Sequence, residues 1–546
     1  MKLFRSVIIV VATAAVLSCS PKSGQDSIKP TKNVILMIPD GTSTSVLACS
    51  RWFKVAKGEE GVLAVDENMC GLVRSFMSDA PISGSAGAMS AYMTGQLQQS
   101  ANICVYPKAN PASDFYPIDS TRTFHPLMTV MEAAKLQGKA TGVVVTVEYP
   151  HATPAATSSH SYSRNDYDAI GAQMAAFGHD VVFGGGFKYA TPTVRENLEN
   201  NGTTLIEGDV DAFNSYDGEG KVWSLFAPAS MAYDLDRKPE SEPSLAEMTS
   251  KAIKLLSRRK NGFFLMVEGS RVDYAAHADD PIGIMTEFIA FDDAVKVALD
   301  FAKKDGNTTV VVLPDHGNSG CSIGKPSYGG YSSRGVQDAY AGVLDFKCTI
   351  EGLCDKLRAA DMDDIDDIFR EWTGIEITEQ EEQDVRDHLM ALVTDYMHVE
   401  GSLNSVVSRI MVSRTNFAFT SGSHTIEDVF LSVYNPNGQP LTGVRTNTEL
   451  NQYLCQVAGV RKPLSELSDE YFAPADEVFK GMEMSVDGPS EEPVLTVTNG
   501  KKVLTAEAYR PYVTVNGEKK DLDLPIVWMK KNKTFYLPVA LADFLK

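Results

Sequence analysis

Histidine and tryptophan are scarce in this chain of 546 residues, which has nine of the first and four of the second. Every histidine position is therefore informative. Cysteine is sparse as well: there are eight, and none sits at the C-x-x-C spacing of a structural zinc site. No cluster of Lys and Arg is long enough to build a basic face, and the formal net charge is −21. That excludes a nucleic-acid-binding surface. An acidic chain that handles an anion needs local positive charge, from metal ions or a placed arginine. The apolar run SVIIVVATAAVL (6–17) is too short to span a bilayer comfortably.

What is present describes an ordinary globular protein, with 43% hydrophobic and 22% charged residues. The basic MKLFR, the apolar run and VLSCS together read as a signal peptide over residues 1–18. Small residues followed at once by Cys19 resemble a bacterial lipoprotein processing site. On that resemblance Cys19 carries lipid, and residues 19–32 form a polar tether. The expected location is the bacterial cell envelope, lipid-anchored on a periplasmic or outer-membrane face. A plain cleaved signal with an incidental Cys19 is the alternative. Losing Lys2 and Arg5 with the signal takes the charge from −21 to −23. The other seven cysteines are an odd number, so at least one is unpaired; Cys348 and Cys354 are close enough in sequence for a local bridge.

Several β-rich runs end in polar turns: NVILMIPDG (33–41), ATGVVVTVEYPHATP (140–154), GFFLMVEGSRVD (262–273) and TTVVVLPDHG (308–317). Amphipathic helical patterns lie between them, at 128–138 and 283–304. This alternation predicts an α/β fold with a large, mostly parallel central sheet covered by helices on both faces. Ligands in such sheets bind beyond the carboxyl ends of the strands. Asp40, His151, Glu268, Asp273, Asp315 and His316 fall there. Residues 322–415 read as a helical insertion, with a capping box from Thr378 to Glu381. The acidic ADMDDIDDIFREW within it reads as a solvated helix face. Residues 461–546 read as a C-terminal β-rich unit with a VNG turn and a terminal helix. It resembles the small stalk modules of copper amine oxidases. It has no His or Cys, which points to packing or display.

The chemistry-bearing residues fall in a few turns. Asp273 and His277 at i, i+4 can face one ion, Asp315 and His316 are adjacent, and His424 lies in TSGSHTIED. Three such groups at one sheet edge suit a two-metal zinc site, which can stabilise the entering and leaving oxygens of a phosphoryl group. Ser85 begins the helical SAGAMSAYMTG in a Gly/Ala-rich run. There it is either a helix cap or a nucleophile at an anion-binding helix N-terminus.

Six motifs fall in the order of the alkaline phosphatases, and the chain resembles that family over residues 33–460 apart from the insertion. They are PDG (39–41), SAGAMSAYMTG (85–95), HATPAATSSHSYSR (151–164), VEGSRVDYAAH (267–277), LPDHG (313–317) and TSGSHTIEDV (420–429). The resemblance implies hydrolysis of small phosphate monoesters through a phosphoserine on Ser85. It implies one zinc held by Asp273, His277 and His424, and a second held by Asp40, Asp315 and His316 that carries the Ser85 oxygen. A magnesium would be held by Asp40, Thr153 and Glu268. Arg164 would grip two phosphate oxygens, and the chain would be a homodimer. Three positions depart from the pattern. Gly84 stands where the family usually has Asp, Tyr274 where Lys or His is common, and His151 where members differ between Asp and His. The competing readings are a phosphodiesterase of the same superfamily and a surface lipoprotein without turnover. A sulfatase would need a C/S-x-P-x-R setting that SAGAM lacks.

Overall fold

The computed structural model describes residues 28–393, 399–489 and 491–546. The signal segment, Cys19 and most of the tether lie outside the described residues.

Ten strands form the main sheet. They are β1 (Asn33–Pro39), β2 (Met69–Arg74), β3 (Ala140–Glu148), β4 (Val181–Gly185) and β5 (Thr203–Glu207). The others are β6 (Lys221–Leu225), β7 (Phe263–Gly269), β8 (Thr308–Val312), β9 (Val429–Tyr434) and β10 (Gly443–Thr446). Their order is β10-β2-β9-β8-β1-β7-β3-β4-β6-β5. Every neighbouring pair is parallel except those of β9, which runs antiparallel to both β2 and β8. The strands expected at 33–41, 140–154, 262–273 and 308–317 are β1, β3, β7 and β8, and they lie side by side as β8-β1-β7-β3.

Continuous apolar sequence follows from burial on both faces. In β1, Ile35 and Met37 enter the core on one side of the sheet, and Val34, Leu36 and Ile38 enter the core on the other. The long helix Pro281–Asp305 covers the first side. Asp280 caps its start by accepting the Ile282 and Gly283 N–H groups at 3.1 and 2.9 Å. Gly306 ends it in the left-handed conformation, φ 68°.

Residues 322–415 contain the helices Ile350–Ala359, Ile365–Thr373, Glu379–Val393 and Leu403–Ser413. Their apolar residues Leu353, Phe369, Val385 and Val407 join the same core as Ile35, so the segment does not pack around a core of its own. Thr378 and Glu381 form the reciprocal cap: Glu381 accepts the Thr378 N–H at 2.9 Å, and Thr378 Oγ1 accepts the Glu381 N–H at 3.3 Å. The acidic helix 365–373 buries Ile365 and Phe369 and pairs Asp366 and Asp367 with Arg370 on its solvated side.

The C-terminal region holds a five-stranded antiparallel sheet within 483–521 and a three-stranded sheet built from 473–474, 527–529 and 534–537. Asn516 and Gly517 turn one hairpin with φ of 51° and 84°. The expected terminal helix is Val539–Leu545, a 3-10 helix entered through Pro538. All seven cysteines among the described residues are free, Cys348 and Cys354 included.

Candidate active site

Four adjacent strands deliver the site. β1 ends at Pro39 and is followed by Asp40; β7 carries Glu268 and leads into the helix Arg271–His277; β8 leads to Asp315 and His316. β3 leads to His151 and Thr153. His424 lies five residues before β9, in a short strand paired with Gly317–Asn318. Because β9 is antiparallel, its start lies at the same edge where the parallel strands end. A sheet of this topology therefore concentrates on one edge residues far apart in sequence.

The carboxylates there are buried and short of partners. Neither oxygen of Asp40 or Glu268 has a hydrogen bond, and the Thr153 hydroxyl and one Asp315 oxygen also lack one. Asp315 Oδ1 accepts the Gly41 and His316 N–H groups at 3.1 and 3.0 Å. Burial, then repulsion from Asp315, Asp273 and Glu268, holds Asp40 well above the usual carboxylate range. Burial, with Asp315 second, pushes Glu268 up to about 8. Buried polar atoms are otherwise almost always paired, so these orphaned oxygens fit cations.

The histidines are oriented as ligands. Nδ1 of His277 lies 2.9 Å from the Gly422 carbonyl, Nδ1 of His424 2.8 Å from that of Ser83, and Nδ1 of His316 3.2 Å from that of Gly317. Each Nδ1–H donates to its carbonyl, which leaves the Nε2 lone pair free for a metal. Burial, reinforced by His424, lowers His316 to about 3, so its ring is neutral.

Three groups of side chains come close enough to share an ion: Asp273, His316 and His424; Asp40, Asp315 and His316; Asp40, His151 and Glu268. The second is the set expected for one zinc. The first contains His316 in place of His277, whose Nε2 lies 3.4 Å from Asp273 Oδ2. The rings of His316 and His424 stack at 3.8 Å, and those of His277 and His424 lie 5.1 Å apart. The third group has His151 beside the expected Asp40 and Glu268, with Thr153 buried nearby in sequence.

Ser85 is the first residue of the helix Ser85–Thr94 and its Oγ lies 3.4 Å from His316 Nε2. The capping position belongs to Gly84, so the reading of Ser85 as a helix cap is set aside. Gly84 has an extended backbone, φ −131°, and owes its place to no left-handed turn. An added Cβ there would meet only the His424 ring, at 3.4 Å. Arg164 is not left unrestrained by the missing Asp. Its Nη2 donates to His151 Nε2 at 3.0 Å. Burial, then Arg164, lowers His151 to about 3. The Tyr274 ring meets His151 edge-on at 6.1 Å, and burial raises its phenol.

Sequence reasoning missed Asn318, whose Nδ2 donates to Asp273 Oδ1 at 2.7 Å. It also missed Ser43 and Glu427: Ser43 Oγ lies 2.8 Å from the Asn318 carbonyl and 2.6 Å from Glu427 Oε1. Asn318 follows the Asp315–His316 pair closely and Glu427 follows His424, so proximity to a ligand was the available signal.

Three close groups of Asp, Glu and His at the carboxyl edge of a mostly parallel sheet are the arrangement of a metal-dependent hydrolase. The alkaline phosphatase family model matches residues 31–460. Alkaline phosphatase 3 of Bacillus subtilis is 32% identical over 443 residues, covering 79% of this chain and 88% of that protein. Alkaline phosphatase of Escherichia coli is 31% identical over 352 residues, covering 54% of this chain and 71% of that protein. Among solved structures, the cold-active enzyme of a Shewanella species is 26% identical with a TM-score of 0.67, covering 79% of this chain and all of that one. The chain belongs to the alkaline phosphatase family and is a phosphomonoesterase.

Proposed function

We propose that the chain hydrolyses small phosphate monoesters through a phosphoserine on Ser85, at a site for two zinc ions and one magnesium. The observation that carries this is Ser85 Oγ 3.4 Å from His316 Nε2, among buried carboxylates without hydrogen bonds. Asp40, Asp315 and His316 would hold one zinc, and Asp273, His424 and His277 the other. Asp40, Glu268 and Thr153 supply the hard oxygens that suit magnesium. These ions supply Lewis-acid stabilisation of the oxygens that enter and leave phosphorus.

The chain's own groups do the rest. The first N–H groups of the helix 85–94 face the phosphate anion with the positive end of the helix dipole. Arg164 offers a planar fork to two phosphate oxygens, and His151 holds that fork in place. The Ser85 oxygen forms a bond to phosphorus as the ester oxygen departs with the alcohol. Water then cleaves the Ser85–phosphorus bond and inorganic phosphate leaves.

The test is Ser85→Ala. Phosphate release is expected to fall by orders of magnitude, and the acid-trapped phosphoprotein to disappear. Turnover like that of the unaltered enzyme would overturn the assignment. Metal analysis of active enzyme should find zinc, and calcium alone would refute the ligand scheme.

The remaining expectations are proposals of the same kind. Cys19 carries lipid and anchors the enzyme to a bacterial envelope; the mass of the mature N-terminal peptide tests this. The enzyme is a homodimer, which sedimentation tests.

A further inference from the structure

Two thiols outside the active site meet in the core. Cys49 lies on the helix Thr44–Ala56, and Cys321 lies just beyond the loop that carries His316 and Asn318. Ser45, one turn before Cys49 on the same helix face, donates its hydroxyl to the Cys321 carbonyl at 2.5 Å. The Cys49 thiol contacts both the Cys321 thiol and the backbone of Ile323. Tyr340 covers the pair and donates its hydroxyl to the Cys49 carbonyl at 2.6 Å. Both cysteines are buried, 6% and 1% exposed, within one apolar cluster. Helix 44–56 also packs on the short strand Ser322–Ile323, which begins one residue after Cys321.

We propose that Cys49 and Cys321 are a modification site: in an oxidising environment they join as a disulfide. The bond ties the helix that follows Asp40 to the loop that carries His316. The oxidant is a disulfide donor, such as a dithiol oxidoreductase in its oxidised form or glutathione disulfide. The Cys49 thiolate attacks one donor sulfur, forms a mixed disulfide and releases the other as thiolate. The Cys321 thiolate then attacks the Cys49 sulfur, forming the Cys49–Cys321 bond and expelling the second donor sulfur. Two protons and two electrons leave the protein, and the donor disulfide is reduced to two thiol groups. Burial keeps donors away from the folded pair, so the exchange belongs to folding, before helix 44–56 docks. The linked loop spans residues 49–321, and closing so long a loop restricts the unfolded chain strongly.

The experiment refolds the full chain with zinc and magnesium, in a glutathione redox buffer or in dithiothreitol. Each sample is denatured and alkylated without reductant, digested, and analysed by mass spectrometry. The expected result is a cross-linked peptide pair containing Cys49 and Cys321, present only after oxidative refolding. The melting temperature of that sample should exceed that of the reduced one by several degrees. The double variant Cys49→Ser/Cys321→Ser should melt at one temperature in both buffers. Full alkylation of Cys49 and Cys321 after oxidative refolding would overturn the proposal, as would either one linked to another cysteine. The peptide readout does not depend on the variant folding.

Discussion

His277, His316 and His424 each give one ring nitrogen to a main-chain carbonyl, so the backbone fixes the face that each ring offers to a metal. His151 differs, because its Nε2 accepts from Arg164 and so performs the restraint that an Asp at position 84 supplies in the family pattern. His151→Ala should release the guanidinium. Ordering it around phosphate then costs on the order of 1 kcal/mol more. The inhibition constant for phosphate should rise by roughly five-fold, since ~1.4 kcal/mol is tenfold. Competition assays with inorganic phosphate check this, and an unchanged constant would show Arg164 held elsewhere. Glycines near the site separate in the same way. At Gly41, φ is +60° and an added Cβ would fall 2.1 Å from Asp273 Oδ1. Gly41→Ala is expected to lose both zinc and several degrees of melting temperature. Gly84→Ala, with extended backbone and ordinary contact to His424, should melt within about 2 °C of the unaltered protein.

At the scale of elements, the site exists because β8, β1, β7 and β3 are neighbours and end together. Those ends bring like charges into a dry edge, which is costly without cations. The pH dependence of the metal-free protein follows. Glu268 titrates near 8 when folded, against an ordinary 4.5, so the folded state binds the extra proton and stability falls as pH rises through that window. His151 and His316 are lowered to about 3 from 6.5, so they act in the opposite sense below pH 6.5. Of these three groups, only Glu268 still acts above 6.5. The chelated protein should therefore lose more melting temperature between pH 6.5 and 8 than the metal-loaded protein, in which cations replace the proton on Glu268; Glu287, away from the site and pushed up to about 8 by burial, acts alike in both. Thermal scans with and without chelator measure this, and parallel curves would refute it.

Across the whole molecule, the C-terminal region is fastened to the catalytic part. Ala169 and Ala172, from the helix Tyr167–Phe177, lie in the same apolar cluster as Leu495, Val513 and Trp528. Arg510 reaches Glu196 at 2.8 Å and Lys530 reaches Asp166 at 2.9 Å. Asn197 donates to the Tyr509 carbonyl at 2.9 Å. The family match ends at residue 460, so this packing is an addition to the part that carries the chemistry. Ending the chain after residue 460 should expose the Ala169–Ala172 face and lower the melting temperature by roughly 5 °C or more. KM for a phosphate ester should stay within about two-fold, because the described residues beyond 460 bond to Asp166, Glu196 and Asn197 and not to the side chains of the site. A large change in KM would assign the C-terminal region a part in substrate binding.

The sequence by itself determined the four central strands, because residues buried on both faces of a sheet must be apolar without interruption, as in NVILMIP and GFFLMVE. It also marked the candidate metal ligands, because several Asp, His and Glu fall together in the turns that end those strands. Tertiary structure decided what depends on folded neighbours. Ser85 as cap or as first helical residue turned on the backbone of Gly84, which residue types do not encode. The hold on Arg164 turned on which side chain lay across from it, and His151, thirteen positions away, was as plausible by sequence as any carboxylate. Asn318, Ser43 and Glu427 were invisible because common polar residues acquire a role only from the atoms they face. The segment 322–415 read as a unit because its composition changes, yet its helices share the main core: burial is settled by three-dimensional contact and composition by the chain alone.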